Sequence, residues 1–171
     1  MSGKLVPPPL AVRGSESVLS RDRKGADVAV KGLEEEAVLN LGRTYEYLQQ
    51  RLGDLLKDFQ LTPTQYNMLR ILRGAGQDGV TCSQACERMI SPDPDITRLL
   101  DRMEARKLIV RERSKQDRRV VITCITPEGM ELVNQIDKPL AALLKKYLGR
   151  AGKDRLAALI NTLEILREEP E

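Results

Sequence analysis

Between Thr62 and Ile125 the chain carries two helix starts of one construction, a third helix, and then two β-branched runs. In "LTPTQYNMLRIL", Thr62 stands as N-cap, Pro63 takes the first helical position and Gln65 the third. That is a capping box on a proline-started helix. It predicts a helix running to about Arg73, where "GAGQDG" stops it. "TCSQACERM" repeats the device with Thr81 and Gln84 and predicts a short helix ending near Met89. "SPDPDITRLLDRMEARK" opens a third, with Asp93 as N-cap, Pro94 first and Asp95 in the first turn, where the helix dipole favours an acid. "LIVRERS" and "VVITCIT", separated by the polar "KQDRR", read as a hairpin with charged residues at its tip. Helix, short helix, helix and hairpin in that order make a winged helix-turn-helix, whose second motif helix enters the major groove.

Long helices flank this lobe. Leu33, Ala37, Leu41, Tyr45, Leu48, Leu52, Leu55 and Phe59 recur at steps of four and three. So long an apolar stripe needs a partner, from its own chain or from a second subunit. Thr126, Pro127 and Glu128 start another long helix, with Leu132, Val133, Ile136, Leu140, Leu143, Leu144 and Tyr147 on its apolar side. Pro139 falls inside it and predicts a kink rather than an end. "GRAG" breaks the pattern, and Leu156, Leu159, Ile160, Leu163 and Leu166 define a last helix. With one Phe, four Tyr and no Trp, the core must be aliphatic, which favours helix. The expected fold class is mainly α (α+β), a single domain over 31–171 behind a flexible tail at 1–30.

The net charge of +3 hides its distribution. From Arg98 to Arg119 nine basic residues face four acids, a local +5 that marks a polyanion footprint. At 100° per residue, Ile96, Leu99, Leu100 and Met103 share one helix face and must be core. Groove entry by the helix N-terminus brings Pro94, Asp95, Thr97 and Arg98 to base edges, with Arg102 and Arg106 nearer phosphates. Lys115, Arg118 and Arg119 sit at the hairpin tip, where arginine suits a narrow minor groove, and Asp117 between them would aim a guanidinium. Double-stranded DNA is therefore the expected partner. The competing reading is a winged helix that contacts proteins, to which Asp93 and Asp95 lend some support.

Other classes lose ground. No His is present, and neither a phosphate loop, nor paired carboxylates, nor a metal-spaced cluster is visible. No enzyme, metal or cofactor is expected. Three cysteines are no disulfide framework and fit a reduced cytoplasm. No stretch reaches the length of a membrane span.

These residues resemble the MarR family of bacterial transcription regulators. "DRRVVITCITPEG" is similar to its wing signature at Asp117, Arg119, Thr126 and Gly129. "LTPTQYNMLRIL" resembles the helix before the helix-turn-helix, and "PDITRLLDRMEARKLIVRERS" the recognition helix with the first wing strand. The match covers roughly residues 33–168. The resemblance implies an obligate homodimer with interlocked terminal helices, 31–60 and 127–171, carrying lobes at 62–125 that read a palindrome. It implies a repressor, with Arg119 in the minor groove and Asp117 orienting it. It also implies a small aromatic effector, for which Arg43, Tyr45, Tyr47 and Met68 are the candidate pocket residues, although core or dimer packing competes for each. One departure is Lys107, where the family usually ends the recognition helix with Gly; a left-handed Lys there is strained. Cys86 falls where the family packs a small residue between helices. Cys82, at the first helical turn, is the redox candidate, because the dipole there would lower its pKa. Spacing of i,i+4 is poor for a direct disulfide, and Cys124 is expected to pack in the wing.

Overall fold

A computed structural model describes residues 20–21, 27–28, 32–91, 95–114 and 117–169. The chain divides into two units, Met1–Tyr47 and Leu48–Glu171. In the first, β1 (Ser20–Arg21) pairs antiparallel with β2 (Asp27–Val28); the rest of the expected tail lies outside the described residues. Helix α1 (Leu33–Lys57) starts in this unit and opens with Glu34, Glu35 and Glu36 at the positive end of its dipole. Leu33, Val38, Leu41 and Tyr45 are all exposed.

The end of α1 belongs to the second unit, where Leu56 is its one buried residue. Leu56 lies outside the predicted stripe, which corrects the sequence reading. Leu52, Leu55 and Phe59 of that stripe only lean on the core. Then follow α2 (Pro63–Ala75), β3 (Val80–Thr81), α3 (Cys82–Arg88), α4 (Ile96–Ala105), β4 (Ile109–Arg113), β5 (Val121–Ile125), α5 (Pro127–Tyr147) and α6 (Lys153–Ile165). The core gathers Leu69 and Leu72 of α2, Ala85 of α3, Leu99, Leu100 and Met103 of α4, and Val133 and Ile136 of α5. This is the winged helix-turn-helix anticipated from the capping signals.

Both capping boxes form. Thr62 Oγ1 accepts the Gln65 N–H at 3.2 Å, and Gln65 Oε1 accepts the Thr62 N–H at 3.0 Å. Thr81 and Gln84 repeat the same two bonds at the same distances. Each cap contributes about 1 kcal/mol. The α2 helix runs two residues past Arg73, and a 3-10 turn at Gly76–Asp78 follows.

Two corrections concern the lobe. The hairpin is the greater part of a three-stranded sheet of order β3-β5-β4, with Val80 opposite Thr123 and Thr81 opposite Ile122. Two residues are too few for any periodicity, so β3 left no signal. Gly79 enters it at φ 61°, where a Cβ would lie 2.6 Å from the Thr123 carbonyl oxygen. The second correction is the start of α4. The helix begins at Ile96, and Asp95 is its N-cap, without a side-chain capping bond. Asp93 and Pro94, expected to start it, lie outside the described residues. The α5 helix continues through Pro139. No residue of α6 is buried; Leu159, Ile160, Ile165 and Leu166 are exposed.

Candidate nucleic-acid interface

The roll of α4 is fixed by its apolar face. Leu99, Leu100 and Met103 are buried and Ile96 half-buried, so Thr97, Arg98 and Arg102 turn outward. Arg98, with its side chain 80% exposed, pairs its Nε with Asp95 Oδ2 at 3.2 Å, one turn back. So exposed a pair contributes little and is easily exchanged for another acceptor. Arg102 Nε donates to the Arg98 carbonyl at 3.2 Å. Pro94 lies outside the described residues.

Not every residue of the basic block points outward. Arg111, on β4, donates from Nη2 to Asp101 Oδ1 at 2.6 Å and from Nε to Glu104 Oε2 at 3.0 Å. Its backbone N–H reaches Glu104 Oε1 at 3.1 Å. The Arg111 side chain holds the Glu104 carboxyl below its ordinary pKa, and Glu104 raises that of Arg111 in return. Two of the four acids are thus committed to pinning the wing strand onto α4. Sequence patterning missed this clamp, because its partners lie on different elements.

At the hairpin tip, the expectation for Asp117 is corrected. Its Oδ1 accepts the backbone N–H of Arg119 at 2.9 Å, so it shapes the turn and does not aim a guanidinium. Val120 N–H closes the turn on the Asp117 carbonyl at 2.9 Å, and Arg113 Nη1 holds the Arg118 carbonyl at 3.1 Å. The side chains of Arg118 and Arg119 stand exposed on this braced turn, while Lys115 lies outside the described residues.

The far end of α4 is more constrained than its start. Lys107 adopts φ 59°. Leu108 N–H bonds the Met103 carbonyl at 3.1 Å and Lys107 N–H bonds the Glu104 carbonyl at 2.8 Å, a Schellman closure. Thr126 Oγ1 donates to the Lys107 carbonyl at 2.7 Å and accepts the Gly129 N–H at 3.0 Å. A Cβ on Gly129 would lie 2.1 Å from the Leu108 carbonyl oxygen, so only glycine lets α5 approach that backbone. The Thr-x-x-Gly spacing therefore has a physical cause. Arg106, expected near phosphate, instead donates from Nη1 to the Gln60 carbonyl at 2.6 Å.

The effector candidates divide. Met68 is fully buried in the core of the second unit, which accounts for it as packing and leaves it no face for a ligand. Arg43 and Tyr47 are half-buried and Tyr45 exposed, all on the part of α1 in the first unit. Tyr66, two residues before Met68, is buried with no hydrogen-bond partner for its hydroxyl, and burial raises its pKa. Beyond it Arg73 joins α2 to α5 through Asp137 at 2.8 Å and Asn134 at 3.1 Å.

The cysteine expectations also need correction. Cys82 is exposed, as anticipated, but partial burial of the thiol and the neighbouring Cys86 push its pKa up, against the dipole. The small buried position of α3 is Ala85, and Cys86 is half-buried. Cys124 is half-buried beside Gly79, and burial raises its pKa as well.

Comparison with known proteins gives a consistent result. The model of the MarR family matches residues 59–120. The HTH-type transcriptional regulator MhqR of Bacillus subtilis is 28% identical over 116 residues, which are 68% of this chain and 79% of that protein. The crystal structure of a MarR transcription factor from Planctomyces limnophilus is 34% identical, with a TM-score of 0.61, covering 80% of this chain and 98% of that one. The transcriptional repressor CouR, bound to a 23-mer DNA duplex, superposes with a TM-score of 0.72 at 25% identity, covering 84% of this chain and all (100%) of that one.

Proposed function

This chain belongs to the MarR family of DNA-binding transcriptional regulators, and from that premise we propose that it is a homodimeric repressor reading a palindromic operator. The observation that carries the proposal is the orientation of α4. Its apolar face is buried, which leaves Thr97, Arg98 and Arg102 outward, and the turn that presents Arg118 and Arg119 is braced nearby in sequence.

Arg98 then releases Asp95 to bond a guanine edge, while Asp95 becomes an acceptor for a cytosine amino group. Pro94 and Thr97 complete the base-facing set, and Arg102 neutralises a phosphate. Arg118, Arg119 and Lys115 enter the neighbouring minor groove on the turn that Asp117 shapes. Support for two copies comes from the exposed large apolar residues of α1, among them Leu33, Val38 and Leu41, and of α6, among them Leu159, Ile160 and Ile165. Repression follows from occupancy of a promoter. Arg43 and Tyr47, one turn apart on α1, remain candidates for contact with a small aromatic effector, with Tyr45 on the opposite side of that helix.

Selection of bound duplexes from random DNA, followed by anisotropy titration over several salt concentrations, tests the reading. The expected result is a palindrome with half-sites about one helical turn apart and affinity that falls steeply with salt. Binding without site preference would sink it.

A further inference from the structure

Among the described residues, Gln60 and Lys107 alone combine a side chain with a positive φ, 54° and 59°. Each closes a helix in the same way. Gln60 N–H bonds the Lys57 carbonyl at 2.9 Å and Leu61 N–H the Leu56 carbonyl at 3.0 Å, the closure already seen at Lys107. Each then gives its own carbonyl to a side chain from another element: Gln60 to Arg106, Lys107 to Thr126. Left-handed backbone at a residue with a Cβ persists only where its surroundings over-determine it. Here the surroundings are the ends of three helices tied through two carbonyls.

Arg106 caps the carbonyl end of α4, and its guanidinium reaches the Gln60 carbonyl, three residues past the end of α1. Both are carbonyl ends, where the helix dipoles place negative charge. Such a place attracts a cation and repels a phosphate.

We propose that Arg106 is a positioning residue for operator reading rather than a phosphate contact: it locks the end of the recognition helix to the end of α1 and so sets that helix's tilt. The inference rests on α4 being the helix that enters the groove. The tilt fixes how far apart the two recognition helices of a dimer stand, and hence which half-site spacing is read best.

The test measures DNA affinity of the wild-type dimer and of Arg106→Ala, Arg106→Gln and Arg106→Lys. Each is titrated on the selected operator and on operators with one base pair added to or removed from the spacer, over a salt series. Positioning predicts that Arg106→Ala loses about tenfold on the best spacing and less on the others. The spacing preference flattens while the salt slope stays as in wild type, and Arg106→Gln, uncharged but still an N–H donor, recovers part of the loss. A salt slope lower by about one with the spacing preference intact, restored by Lys and not by Gln, overturns the proposal in favour of a phosphate contact. Unchanged binding by Arg106→Ala overturns it too. Should Arg106→Ala fail to fold by circular dichroism, the contrast between the Gln and Lys variants decides. Failure of the wild type to prefer any duplex is a separate result that removes the functional reading beneath the proposal.

Discussion

Glu104 receives both the side chain and the backbone N–H of Arg111, so one carboxylate on α4 fixes the first strand of the wing. The pair is partly exposed, at 27% for Arg111 and 36% for Glu104, so its charge-assisted bonds are discounted for solvent screening.

Glu104→Gln is expected to lower stability by about 1 kcal/mol at neutral pH, measured by urea unfolding. Because the folded-state pKa of Glu104 lies below its ordinary 4.5, its contribution is complete above that value. It is lost as pH falls through the lower folded value. The stability curves of wild type and variant should therefore converge in acid. A gap that stays constant down to full protonation would show that the bonds contribute by shape alone.

Lys107→Gly removes a left-handed side chain without touching the Thr126 bond to its carbonyl. A stability gain of about 1 kcal/mol is expected, seen as a higher melting temperature. Lys107→Ala should give no such gain, since alanine carries the same Cβ.

Arg98→Ala and Arg119→Ala should fail in different ways. The first is expected to cost about 1–3 kcal/mol on the selected operator and to relax preference at one base position per half-site. The second should weaken binding across sequences and reduce the salt slope by about one. Competition titrations against single-base operator variants separate the two.

Ile160, on a helix with no buried residue, is 56% exposed in the single chain. Ile160→Glu is expected to shift sedimentation toward a monomer and to abolish tight operator binding. In wild type the melting temperature should rise with protein concentration, as it does when association stabilises the folded state. A melting temperature independent of concentration over two decades, with unchanged sedimentation for the variant, would contradict the dimer.

The parts of this molecule legible in its sequence are those governed by neighbours within four residues. The Thr62 and Thr81 boxes, the buried face of α4 and the presence of the hairpin are all of that kind. Lys107 was legible only through the family resemblance, which puts glycine where this helix closes in the left-handed region. What escaped depends on distant partners. Leu56 is buried at the end of α1, beside and not on the line that the periodic stripe draws. Arg106 and Arg111 looked like two more cations in a basic block until the fold brought a carbonyl and two carboxylates to them. Asp95 stands at the helix start without capping it, its carboxylate turned to Arg98, an arrangement that the capping rule does not describe.

Gly129, pressed onto the Leu108 carbonyl and bonded to Thr126, leaves no slack where the hairpin leaves and rejoins the body. At the opposite end, Ser114 N–H bonds the Val120 carbonyl at 2.8 Å. Variation in length or sequence therefore has one cheap address, the outer turn, and an expensive one, the root. Grafting that turn from one regulator to another should transfer what it reads while leaving the body that carries it unaltered.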